Sequence, residues 1–192
     1  MSGPRIACIC VIGKADNPLH ISMFPPYQDS IVNFSFSLNA CLDIFEIRQK
    51  KTSVGQDLGL LHAIDERLAA YGWLTTTGVK FLIVVDTIGQ PTRVGAESLG
   101  IGAMATLRES DLKPASFYHL TLQHTREGLQ AFRALQTAYV QLLQNPFYFP
   151  DDYTPTAKTT TSSSNASQIV DRRFIAAVKR IGDTWAPGMT GL

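Results

Sequence analysis

At 192 residues, 45% apolar and 17% charged, the chain has the length and composition of one globular domain around a single core. Seventeen Lys and Arg against sixteen Asp and Glu leave a net charge of +1, which gives nucleic-acid binding no electrostatic support. No apolar run approaches the ~20 residues of a transmembrane helix, no secretory leader is read, and Arg48, Lys50 and Lys51 are too few for a basic membrane patch.

Taken in chain order, Ile6 to Ile12 is a run of β-branched and small apolar residues, as expected of a strand buried on both faces. It carries Cys8 and Cys10. With Cys41 these make an odd set whose spacing fits no zinc motif, so all three are read as reduced, buried thiols of a cytosolic protein. Gly13 to Pro18 marks a turn, and Leu19 to Phe24 alternates as a half-buried second strand, completing a hairpin that Pro25-Pro26 ends.

A helix is expected from about Asp29 to Lys50, with Ile31, Phe34, Leu38, Cys41/Leu42 and Phe45 as its apolar stripe and Asp29 or Ser30 as N-cap. The sequon Asn33-Phe34-Ser35 lies on this helix, and Asn165-Ala166-Ser167 is the other; both read as chance. Three closely spaced strands follow, Leu58 to Ile64, Leu68 to Thr75 and Val79 to Val85. Asp65-Glu66 and Thr77-Gly78 lie between them as turns, a pattern that indicates an antiparallel meander. Tyr71 and Trp73 fall on one face of the middle strand.

From about 87 to 123 glycines and prolines break the pattern, and the stretch reads as an inserted loop with room for a short helix over Leu99 to Leu107. Thr125 to Gln144 is a second amphipathic helix, stopped by Asn145-Pro146. Residues 153–167, centred on a Thr/Ser run, have the composition of a flexible linker. A last helix is expected from about Ser167 to Ile181, with Val170, Phe174, Ala177/Val178 and Ile181 inward and Gly182 just past its end. The order is therefore ββ-α-βββ-α-α in one α+β domain over residues 1–192. The simplest packing is a five-stranded antiparallel sheet with the first helix on one face and the last two on the other.

That order is the longin (profilin-like) one, and ordered motifs narrow it. Ile9-Cys10-Val11-Ile12-Gly13-Lys14 with Asn17-Pro18-Leu19, then Leu58-Gly59-Leu60-Leu61, Tyr71-Gly72-Trp73-Leu74-Thr75, Val79 to Asp86 and Asn145-Pro146-Phe147-Tyr148 resemble the sedlin-like subunits of the TRAPP (transport protein particle) complexes, in their 2-like branch. Within the first helix Leu42 and Asp43 match the family's H-x-S-L-D stretch, whereas Asn39 and Cys41 replace its His and Ser. The resemblance covers about residues 5–86 and 125–182. The 87–123 and Thr/Ser segments depart from it as lineage-specific insertions, in the manner of a fungal member.

The resemblance implies a non-catalytic subunit that assembles or adapts TRAPP II in ER–Golgi and Golgi–endosome traffic. Its partners would be other small and large TRAPP subunits, with a Rab GTPase only indirectly downstream. It would be cytoplasmic, associating peripherally with Golgi and ER–Golgi membranes through the complex. Other longin modules, such as a SNARE regulatory domain or a coat-adaptor subunit, are the alternative, and a small-molecule-binding domain is a further one. A SNARE would need a downstream heptad run and a membrane anchor, which the sequence lacks.

No enzyme chemistry is legible. His20, His62, His119 and His124 fall into no triad, G-x-S-x-G or phosphate-loop pattern, and neither a cofactor nor a metal is expected. The candidate residues are instead for a protein interface. Asp43 and Glu46 are placed by helical spacing away from the Leu38/Cys41/Phe45 stripe. Phe147 and Tyr148 close the second helix, where aromatics serve either as core or as interface anchors.

Overall fold

The computed structural model describes residues 4–50, 57–88, 130–148 and 168–186. Within them lie strands β1 (Arg5–Ile12), β2 (Pro18–Met23), β3 (Asp57–Ala63), β4 (Leu68–Leu74) and β5 (Lys80–Asp86). Helices α1 (Ile31–Gln49), α2 (130–143) and α3 (Arg172–Thr184) complete the described elements. The expected 87–123 insertion beyond residue 88, its short helix, the beginning of the second helix and the Thr/Ser linker lie outside the described residues.

The five strands form one antiparallel sheet in the order β2-β1-β5-β4-β3. Two of its three inner strands carry the apolar runs: β1 is buried throughout after Arg5, and every residue of β5 is buried. Phe81, Ile83 and Val85 point to one face and Leu82 and Val84 to the other, as the period of two demands. β1 breaks that alternation. Its register against β5 shifts between Ile6 and Cys8, so Ala7 and Cys8 both join the α1 side while Ile6 and Ile9 face α2 and α3.

Each face of the sheet has its own core. Phe34, Leu38, Cys41 and Phe45 of α1 pack on Ala7, Cys8, Cys10, Leu82 and Val84. Phe132, Leu135 and Tyr139 of α2 with Phe174, Val178 and Ile181 of α3 pack on Ile9, Val11, Phe81 and Ile83. One helix thus lies on one face and two on the other, as expected. α1 sits close because Gly72 has no side chain: a Cβ there would come 2.6 Å from the Phe45 ring. Arg48, in the last turn of α1, donates to the Leu58 carbonyl at 2.6 Å and ties the helix end to β3. At the far end of β5 the fully buried Asp86 accepts from the Tyr27 hydroxyl at 2.9 Å, from Arg67 at 3.1 Å and from the Ile88 amide at 3.1 Å. This clasp holds the β2–α1 connection against the sheet, and burial together with the Asp86 bond pushes the Tyr27 phenol up to about 12.

Several boundaries differ from the expected ones. Ile31 stands half exposed rather than in the α1 stripe, and Ser30 occupies the N-cap position without a side-chain capping bond. The last helix starts at Arg172, not near Ser167. Asp171 is its N-cap and accepts from the Phe174 amide at 2.8 Å, so Val170 precedes the helix and is exposed instead of packed. The helix also runs on through Gly182, which is buried where a Cβ would overlap the Phe24 ring; this glycine serves close packing, not termination.

The two sheet edges differ from each other. On β2 the Leu19 carbonyl accepts from the Ile169 amide at 2.8 Å. On β3 the pairing with β4 slips twice, and Gly59 adopts a positive φ of 64° with its amide bonded to the Asp57 carboxylate at 2.8 Å.

Candidate protein-docking surface

Helix α1 has apolar residues on two opposite sides. Opposite the buried Phe34, Leu38, Cys41 and Phe45, the spacing of 3.6 residues per turn aligns Val32, Phe36, Ala40, Asp43 and Ile47 along the outside. Val32 is 63% exposed, Phe36 71% and Ile47 57%. A helix with apolar side chains on both sides ordinarily has both covered, and a contiguous exposed apolar stripe marks an interaction site.

Asp43 lies within this outer line and Glu46 borders it, both exposed. They open onto a groove of about 510 Å³ with Lys14, Asp16, Asn39 and Lys80. Glu46 is engaged with Lys50 at 3.1 Å, an exposed pair one helical turn long. Lys80 is nearly buried and paired with Asp16 of the β1–β2 turn, a residue held at a φ of 62°. Among the described residues Asp43 has no hydrogen-bond or ion-pair partner. A carboxylate beside an exposed aromatic suits a partner presenting a donor next to an apolar anchor.

Phe147 and Tyr148 are not part of this surface. They follow α2 on the opposite side of the sheet, and their environments diverge. Tyr148 packs partly against the α2–α3 core, whereas Phe147 is 89% exposed, its amide bonded to the Asn145 side chain at 3.1 Å. The four candidate residues therefore fall at two separate places on opposite sides of the sheet. Periodicity also missed Val32, Phe36 and Ile47. The available signal was that apolar residues outnumber polar ones at the α1 positions farthest from its buried stripe, with Asp43 as the exception.

Among the described residues, His20 and the three cysteines lie in packed surroundings. His20 meets the Ser22 hydroxyl at 2.7 Å but stacks edge-on against Phe174 at 5.4 Å, and burial lowers its pKa. No described carboxylate orients this pair for nucleophilic work. Cys8, Cys10 and Cys41 are free and buried under α1, and burial pushes the thiol of Cys8 up to about 12 and that of Cys41 to about 11. Among the described residues no cluster of three or more His, Cys, Asp or Glu could hold a metal, and no described helix is long and apolar enough to cross a membrane.

Comparison with known proteins places the chain. The family model described as Sedlin matches residues 11–172, which is most of its length. The chain belongs to the sedlin family. Among curated sedlin-family relatives, a trafficking protein particle complex subunit 2-like protein of Dictyostelium discoideum is 28% identical over 167 residues, covering 84% of this chain and 95% of that protein. Proteins of the same name from Taeniopygia guttata and Mus musculus are each 26% identical over 153 residues, covering 76% of this chain and 84% of their own. The described sheet, with one helix against two, is the longin-like arrangement that the resemblance implied.

Proposed function

We propose that this chain is a non-catalytic subunit of a TRAPP vesicle-trafficking complex, docked onto neighbouring subunits through the outer face of α1. The names of its relatives support the complex. The observation that carries the docking mode is the exposed Val32/Phe36/Ile47 stripe with Asp43 at its centre. The proposal extends to a role in assembling or adapting TRAPP II, with a Rab GTPase reached only through the complex and a peripheral location at Golgi and ER–Golgi membranes. Phe36 has the character of an interface anchor, and truncating such an anchor costs about 2 kcal/mol or more of binding.

The test is affinity purification of the tagged chain from its own cells, wild type beside Phe36→Ser and Asp43→Lys. TRAPP subunits should accompany the wild type and be lost from both variants. Purification without any TRAPP subunit would sink the assignment. Retention by both variants would keep the complex but move the interface off α1. The purified chain alone should not accelerate nucleotide exchange on a Rab protein; robust exchange by it would contradict an assembly role.

A further inference from the structure

The outer side of the α2–α3 layer has a chemistry that the near-neutral net charge conceals. On α3 the exposed residues include Arg172, Arg173, Lys179 and Arg180, at spacings of seven that bring them onto one side, opposite the buried Phe174, Val178 and Ile181. Ala176 lies between the two pairs, and Asp183 is the one acid on that side. The described length of α2 adds exposed Arg133 and contains no acidic residue. Among the described residues none of the four α3 cations has an ion-pair partner, in contrast to Lys50, Arg67 and Lys80.

Helix stability does not explain this arrangement. Arg172 and Arg173 stand in the first turn, against the positive end of the helix dipole, where anions are favoured and cations are not. Asp171 does not offset them outward. Its carboxylate is turned to the Phe174 amide and to the Asn145 side chain, at 2.8 and 3.5 Å. The Asn145 contact brings the end of α2 beside the start of α3, so Phe147 and both arginines line one open groove of about 780 Å³. Phe147, 89% exposed, and Val170, 75% exposed, rise at this same end.

We infer that the α2–α3 face rests on an anionic lipid surface, with the α3 cations on the headgroups and Phe147 and Val170 at the acyl boundary. Cations close to an anionic membrane are each drawn to it by about 1 kcal/mol, and exposed apolar side chains beside them add contact at the headgroup boundary. The pattern differs from the outer face of α1, where apolar side chains surround one carboxylate, which suits a protein partner. The face lies across the sheet from α1, so both can be occupied at once. The inference is independent of subunit docking: the vesicle measurement below stands or falls without regard to capture by α1.

The experiment is flotation of the full chain with vesicles of phosphatidylcholine alone and of phosphatidylcholine containing phosphatidylserine. The wild type should float with the anionic vesicles only and be released as salt rises. Each removed cation should lower partitioning by about fivefold. Arg172→Gln/Arg173→Gln and Lys179→Gln/Arg180→Gln should therefore each weaken it by more than tenfold, and Phe147→Ser should weaken it without changing its dependence on salt. All these side chains are exposed, and an unchanged thermal midpoint confirms that each variant is folded. No preference for anionic vesicles, or a preference that both double variants retain, overturns the inference. Binding to a polyglutamate probe with none to vesicles would assign the face to an acidic protein and overturn it as well.

Discussion

Helices α1 and α3 are alike on the inside and opposite on the outside. Each presents aromatic and aliphatic side chains to its face of the sheet, Phe34, Leu38 and Phe45 in one case and Phe174, Val178 and Ile181 in the other. Away from the sheet, α1 exposes Val32, Phe36 and Ile47, whereas α3 exposes Arg172, Arg173, Lys179 and Arg180. The inner stripes are set by the needs of one fold, whereas the outer ones are free of that demand and differ in chemistry.

Substitutions can separate those two layers. The largest effect is expected inside α1. Phe45→Ala removes a fully buried ring and should cost about 3–5 kcal/mol, seen as a lower urea midpoint. Inside α3, Gly182→Ala would press a methyl group into the Phe24 ring and should cost about 1–3 kcal/mol by the same measurement. An unchanged midpoint would mean that α3 can move away from the β2 end at little cost.

A smaller, pH-dependent effect belongs to the α3 side alone. Burial holds His20 below its ordinary value of 6.5, so the unfolded chain binds its proton first. The neutral ring's contribution is complete above that value and is lost as pH falls from about 6.5 through the lowered folded pKa. The urea midpoint should decline over that window in the wild type and decline less in His20→Gln. Equal slopes would show that His20 is not the group responsible. The smallest effect is expected outside α1, where Phe36→Ser should shift stability by no more than about 0.5 kcal/mol, despite abolishing subunit capture. A large destabilisation would place Phe36 in the core and remove the distinction between the layers.

Much of this architecture could be read from the residues. Continuous apolar runs located β1 and β5, alternation located β2, the short turns at Asp65-Glu66 and Thr77-Gly78 indicated the meander, and most of the inward helical stripes were evident. What escaped reading depended on neighbours distant in sequence. Ala7 is one more apolar residue in a run, and its irregular pairing is visible only against β5. Gly182 resembles a terminator until the Phe24 ring is seen beside it. Val170 matched the helical period, but Asp171 competes as a cap and wins because its carboxylate reaches the Phe174 amide. The candidate surface was half legible. Asp43 and Glu46 emerged from spacing, whereas the exposed stripe was hidden because an apolar residue announces burial whichever way it points. The α3 cations escaped because a pair, a gap and a second pair do not make a run.

The unlike treatment of the two sheet borders has a consequence for assembly. Open strands are templates for indiscriminate pairing and aggregation. Here the outermost strand on one side has a carbonyl already occupied by Ile169, and the one on the other is kinked at Gly59 and out of step with its neighbour. Neither offers an incoming chain a straight, vacant ladder. Self-association by strand addition is thereby discouraged along both described edges.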